Sequence, residues 1–133
     1  MDNNFVIEID TKKNVEFIDI TERIQEIVFL KKQTTGQCFI TVPHTTAGIT
    51  INENADPDVV SDIIAYLDRS VPSNDTRYKH SEGNSAAHIK SSLMGTSLSV
   101  IIENGNLKLG TWQGIYFCEF DGPRKRKIWI KIT

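Results

Sequence analysis

Apolar side chains recur at every second position in several short runs, and this spacing commits most of the chain to β-strands. Cys38, Ile40 and Val42 alternate with Gln37, Phe39 and Thr41, the period of a strand with one buried face. Across residues 112–121, Gln113, Ile115, Phe117 and Glu119 share one face, and Trp112, Gly114, Tyr116, Cys118 and Phe120 the other. Further strands are predicted over residues 5–9, 15–20, 49–51, 98–102, 107–120 and 127–132. The first two read as a pair joined by the polar residues 10–14. The 107–120 run has two glycines, Gly110 and Gly114, at which it can bend. Asn104-Gly105 and Asp121-Gly122 read as hairpin turns linking the last three strands.

Three segments switch to helical spacing. Thr21 suits the N-cap of a helix reaching about Gln33, with Ile24, Ile27 and Val28 as its buried stripe. Asp56-Pro57 opens a second helix, Asp at the cap and Pro in the first turn, with Val59, Val60, Ile63, Ile64 and Leu67 apolar. A third fits residues 84–94, with Gly95 as its stop. Residues 71–83 form a polar stretch with little to bury, and loops of that length are often functional. Many strands with two or three helices give an α+β fold. The 133 residues contain no repeat or linker, so one domain over 1–133 is expected.

Composition narrows the function. A net charge of −2 removes the chain-wide basic footprint of a nucleic-acid binder. Only Arg124-Lys125-Arg126-Lys127 speaks for nucleic acid, and such a run is usually a solvated edge strand. No apolar run approaches membrane-spanning length. Met1-Asp2-Asn3-Asn4 lacks the basic start and apolar core of a signal peptide, so a cytoplasmic setting is expected. Cys38 and Cys118 each lie within an apolar run and read as buried small hydrophobes rather than a disulfide.

The polar residues that could carry chemistry cluster in a few places. His44 ends a strand, His80 lies in the polar loop, and His88 falls four residues after Asn84, on the same helix face. Three neutral imidazoles can hold zinc or a similar metal with a fourth position open; on spacing alone, three unrelated polar histidines are slightly favoured. Asn84 and Ser85 open a helix, where free N–H groups and the helix dipole attract anions. Thr45-Thr46-Ala47-Gly48 can be a phosphate-holding turn or an ordinary one. Glu53 lies outside the second helix and is the best placed of its acidic neighbours for acid–base work or a metal ion. Trp112 can stack a flat ring or fill the core. Arg124, nearest the Asp121-Gly122 turn, is a candidate phosphate clamp.

Taken together, several of these stretches resemble the YjbQ family. They are His44-Thr45-Thr46-Ala47-Gly48 with Asn52-Glu53, then Asp56-Pro57, then His80 to His88 around Gly83-Asn84-Ser85-Ala86-Ala87. Leu109-Gly110-Thr111-Trp112-Gln113 and Asp121-Gly122-Pro123-Arg124 complete the set. The resemblance implies an α+β fold, a homotrimer, a cytoplasmic setting and a secondary thiamine-phosphate synthase. That reaction joins a hydroxymethylpyrimidine diphosphate to a thiazole phosphate and releases diphosphate. The main thiamine-phosphate synthases are TIM barrels, a fold of about 250 residues, so any shared activity would be convergent.

The expected site is then one polar pocket. His44, Glu53, His80 and His88 are its catalytic candidates. Thr45, Thr46, Asn84, Ser85, Trp112, Gln113, Asp121 and Arg124 bind a small phosphorylated substrate. The metal is either a transition ion on His44, His80 and His88, or Mg²⁺ brought with a diphosphate and held by Glu53 or Asp121. Two other readings stand beside the synthase: a metal-dependent hydrolase on the three histidines, and a trimeric small-molecule or phosphate-binding protein without catalysis.

Overall fold

A computed structural model describes residues 3–133; Met1 and Asp2, on which part of the signal-peptide reading fell, lie outside the described residues. The chain order is β1 (Asn4–Asp10), β2 (Glu16–Asp19), α1 (Thr21–Leu30), β3 (Thr35–Thr41), β4 (Ala47–Glu53), α2 (Pro57–Ser70) and α3 (Ser85–Met94). Then follow β5 (Ser97–Glu103), β6 (Asn106–Leu107), β7 (Gln113–Glu119) and β8 (Lys125–Ile132). The α+β expectation holds. The strands form two antiparallel sheets, one ordered β1-β8-β3-β5-β6 and the other β2-β7-β4.

The two sheets face each other. Ile7 and Ile9 of β1, Cys38 and Ile40 of β3, Val100 and Ile102 of β5, and Ile128, Ile130 and Ile132 of β8 point inward from the larger sheet. They meet Ile49 of β4 and Ile115 and Phe117 of β7, while Ile24 and Val28 of α1 close one flank. Tyr116, Cys118 and Phe120 point the opposite way and pack on Leu67 of α2 and Ala87 of α3. β7 is therefore buried on both faces, and the layers run sheet, sheet, helices. Both cysteines are free and buried, as expected. Burial pushes the Cys38 thiol up to about 11, and that of Cys118 is pushed up further for the same reason.

Three expectations about connection fail for one physical reason. β1 does not pair with β2 but with β8, while β2 pairs with β7. Asp121-Gly122 is not a hairpin turn: β7 and β8 lie in different sheets, and the segment carries the chain between them through a cis Gly122-Pro123 peptide. The 107–120 run is interrupted, β6 ending at Leu107 in one sheet and β7 starting at Gln113 in the other. Alternation says which side chains are buried, but not which strand lies alongside. Asn104-Gly105 is a true hairpin turn, with φ of 53° and 78° at its two residues, the left-handed pair that such a turn needs.

The helix signals are read more closely by the structure. Asp56 accepts the Asp58 N–H at 2.9 Å, and Pro57 occupies the first turn of α2. Thr21 is the first residue of α1 rather than its cap. The Asp19 carboxylate accepts both its N–H (2.9 Å) and its hydroxyl (2.6 Å), and the Thr21 oxygen accepts the Ile115 N–H at 2.8 Å. α1 ends at Leu30, three residues earlier than the spacing suggested, and Lys32 turns to a φ of 56°.

Candidate functional site

β4 and β7 run antiparallel with Ala47 opposite Glu119 and Glu53 opposite Gln113. This register sorts the expected site residues to the two ends of one strand pair. Gln113 and Glu119 lie roughly 20 Å apart, six steps of about 3.3 Å.

At the Glu119 end, a charged pair is sealed between the sheets. Glu119 and Arg126 are both buried. The Arg126 Nε donates to Glu119 Oε1 at 2.8 Å, and its terminal nitrogen donates to Glu119 Oε2, to Thr46 Oγ1 (2.9 Å) and to the Thr46 carbonyl (3.2 Å). The Thr11 hydroxyl and the Asp121 N–H donate to the same carboxylate at 2.8 and 2.9 Å. Burial alone would raise the pKa of Glu119; the Arg126 bonds, the Asp121 N–H and the Thr11 hydroxyl outweigh it and hold the group below its ordinary 4.5. Thr46 is consequently committed to Arg126 rather than free for a phosphate. His44 belongs to this end too. Its Nε2 accepts the Lys127 N–H at 2.9 Å, which leaves Nδ1 to carry the ring proton. Burial, and then the positive charge of Arg126, lower its pKa from 6.5 despite Glu119 nearby.

The Asp121–Arg124 turn joins this network to α3. Asp121 Oδ2 accepts from Asn84 Nδ2 at 2.9 Å and from the Arg124 guanidinium at 3.0 Å, while Arg124 Nε donates to the Asp121 carbonyl at 2.9 Å. Asn84, Asp121 and Arg124 are thus brought together, as the sequence suggested, but in contact with one another.

The most open chemistry lies on the other side of the start of α3. The His80 and His88 rings stand edge to face, centroids 5.3 Å apart and planes at 87°. They line a cavity of ≈ 510 Å³ with Arg77, Tyr78, Lys79 and Ser85. Arg77 is held by Asp75 through a bond at 2.7 Å, and the Tyr78 hydroxyl donates to the Pro72 carbonyl at 2.8 Å, folding the 71–83 loop back on itself. This ion pair sets the Asp75 carboxyl to about 2.

The remaining expected residues lie elsewhere. Glu53, Trp112 and Gln113 sit at the far end of β7. There Glu53 accepts the Asp56 N–H (3.2 Å) and Gln113 accepts the Gly110 N–H (2.7 Å). Trp112 is 62% exposed. Thr45 is exposed. The single pocket expected from His44, the 80–88 segment and the whole 112–124 stretch is therefore corrected: alternation placed the faces but not the strand ends. Among the described residues, no group of three His, Cys, Asp or Glu side chains could hold a metal ion. His80 and His88 supply two imidazoles, one fewer than an open zinc site takes from protein. Asp121 is already shared by Asn84 and Arg124, and Glu53 lies at the other end of the β4–β7 pair, so the two do not converge on one Mg²⁺ ion. Arg77, Tyr78, Lys79, Thr11, Glu119 and Arg126 were not among the sequence candidates. A carboxylate at 119 on the apolar face of Ile115 and Phe117 was the available signal for a buried pair.

The family described as UPF0047 protein YjbQ-like matches residues 5–133. The chain belongs to the YjbQ family. It is 54% identical to UPF0047 protein YugU of Bacillus subtilis, over 95% of this chain and 96% of that one. A UPF0047 protein of Methanocaldococcus jannaschii is also 54% identical, over 96% of this chain and 92% of its own. The crystal structure of a YjbQ/UPF0047 protein from Clostridium acetobutylicum superposes with a TM-score of 0.94 at 56% identity, over 97% and 99% of the two chains. A YbjQ-like protein from Sulfolobus solfataricus gives 0.92 at 31% identity, over 97% and 94%.

These relatives overturn the synthase expectation. The family description and the relatives' names carry no thiamine-phosphate synthase activity, and the two structures are described as an uncharacterized conserved protein and a protein of unknown function. The geometry agrees, since the stacking ring at Trp112 and the Arg124 clamp stand at opposite ends of β7. Among the described residues, no helix is long and apolar enough to cross a membrane.

Proposed function

We propose that the cavity beside α3 binds a small phosphorylated molecule, and that His80 and His88 exchange a proton with it as general acid and general base. One observation carries this reading: two imidazoles in contact on the wall of a cavity that also presents Arg77, Lys79 and the Ser85 hydroxyl. Ser85 is the first residue of α3, so unpaired N–H groups and the positive end of the helix dipole add to the pull on an anion. Imidazole is the side chain suited to give and take a proton near neutrality. Contact between two such rings lets one donate while the other accepts. No metal is needed for this role.

Calorimetry with inorganic phosphate tests it. The reading requires saturable binding that weakens about tenfold, roughly 1.4 kcal/mol, in His88→Ala and in Arg77→Ala. It also requires the measured heat to change between buffers of different ionisation enthalpy, the mark of a linked proton. Undiminished binding in both variants would refute it.

The outer face of the larger sheet supports an assembly of identical chains, with a homotrimer as the form the family resemblance implies. Val6 stands opposite Trp129 in register, and both, with Phe39 and Ile101, are exposed on that face. Apolar side chains grouped this way mark an interaction surface. Light scattering reads the mass directly; a monomer at micromolar concentration would contradict the assembly.

A further inference from the structure

A second cavity, of ≈ 220 Å³, lies on the opposite flank of the start of α3. Its wall carries Asn14, Ser73, Asn74, Asn84, Lys90 and Asp121, and it shares no lining residue with the histidine cavity. Two of these groups are poorly satisfied. Lys90 is 3% exposed, yet the carboxylate nearest its ammonium is that of Asp68 at 4.0 Å, itself 71% exposed. The stem of Lys90 is buried while its ammonium keeps only this long ion pair, which leaves it free to take a closer anion. The Asn84 side-chain oxygen is buried without a hydrogen-bond partner, while its nitrogen is fixed by Asp121. Since Asp121 can only accept from that nitrogen, the amide cannot be turned around to hide the oxygen.

The wall therefore offers one weakly paired cation and one unfilled acceptor. A cation calls for an anionic group. The unpartnered amide oxygen calls for a donor on the same ligand. Lys90 supplies a single positive charge, which matches a carboxylate better than a phosphate dianion. We infer that this cavity is a binding site for a small carboxylate that also carries an amino or hydroxyl group. The carboxylate lies against the Lys90 ammonium, and the amino or hydroxyl group donates to the Asn84 oxygen.

The test uses the full-length protein labelled at alanine and isoleucine methyls, titrated with L-serine, glycolate, acetate and inorganic phosphate. Ala86 and Ala87 line this cavity, whereas Ile89 lines the histidine cavity. L-Serine or glycolate should shift the Ala86 and Ala87 methyls saturably at millimolar concentration or below. Acetate, which lacks the donor, should bind about tenfold more weakly. Lys90→Met should abolish the response while leaving any phosphate response at Ile89 unchanged, so the two cavities fail or succeed separately. Asn84→Ala removes only the open acceptor and its Asp121 bond. It should weaken glycolate with little effect on acetate, and it serves if Lys90→Met does not fold. No shift at Ala86 and Ala87 with L-serine or glycolate, or equal affinity for acetate and glycolate, would overturn the inference.

Discussion

Glu119 of β7 and Arg126 of β8 meet in the space between the two sheets, joined by two hydrogen bonds and closed off from water. No backbone ladder connects β7 to β8, and this pair, with Thr11 and Thr46, ties one end of the smaller sheet to the larger alongside the shared apolar core. Removing one partner leaves an uncompensated buried charge, which costs about 3–5 kcal/mol. Glu119→Ala and Arg126→Ala should each lower stability by that amount in urea denaturation. The double replacement Glu119→Leu with Arg126→Met should recover much of the loss, because the unpaired charge is gone.

His44 makes stability depend on pH near neutrality. Its folded pKa lies below its ordinary 6.5, chiefly through burial and Arg126. The unfolded chain therefore binds the proton more readily, and the contribution is fully present above 6.5 and lost as pH falls from there towards the folded value. Stability measured between pH 7.5 and 5 should decline less in His44→Gln than in the parent. Glu119 acts lower: its folded pKa is below 4.5, so its contribution is lost as pH falls through that folded value.

Gly114 is required by close approach rather than by φ. A Cβ there would sit 2.4 Å from Asn54 Nδ2 and 2.8 Å from Asn54 Cβ. Gly114→Ala should destabilise by about 1–3 kcal/mol, the usual cost of overpacking. Asn54→Gly in the same chain should return part of it. A neutral Gly114→Ala in thermal melts would show that the Asn54 loop moves aside freely.

The burial of each strand was legible in the sequence, because a period of two marks a face whatever the partner. Cys38, Ile40, Ile115 and Phe117 are inside as the alternation indicated. The Asp56-Pro57 start and the Gly95 stop were legible because capping is local chemistry. Pairing was legible at Asn104-Gly105 but not at residues 10–14 and 121–124, which look like hairpin connections yet pass between sheets. For the site, the proximity of Asn84 to Asp121 and of His80 to His88 was foreseen. The removal of His44 to the Arg126 network was not, because it depends on which end of β4 lies beside which end of β7. Arg77 and Lys79 were passed over because a charged loop residue carries no periodic signal.

The central claim is that His80 and His88 form one anion site from which His44 stands apart. Resolving the three imidazoles by NMR while inorganic phosphate is added tests this most directly. The account predicts that the His80 and His88 ring signals shift together along one saturation curve, and that His44 stays still. Movement of His44 on that same curve, or silence of His80 and His88, would contradict it.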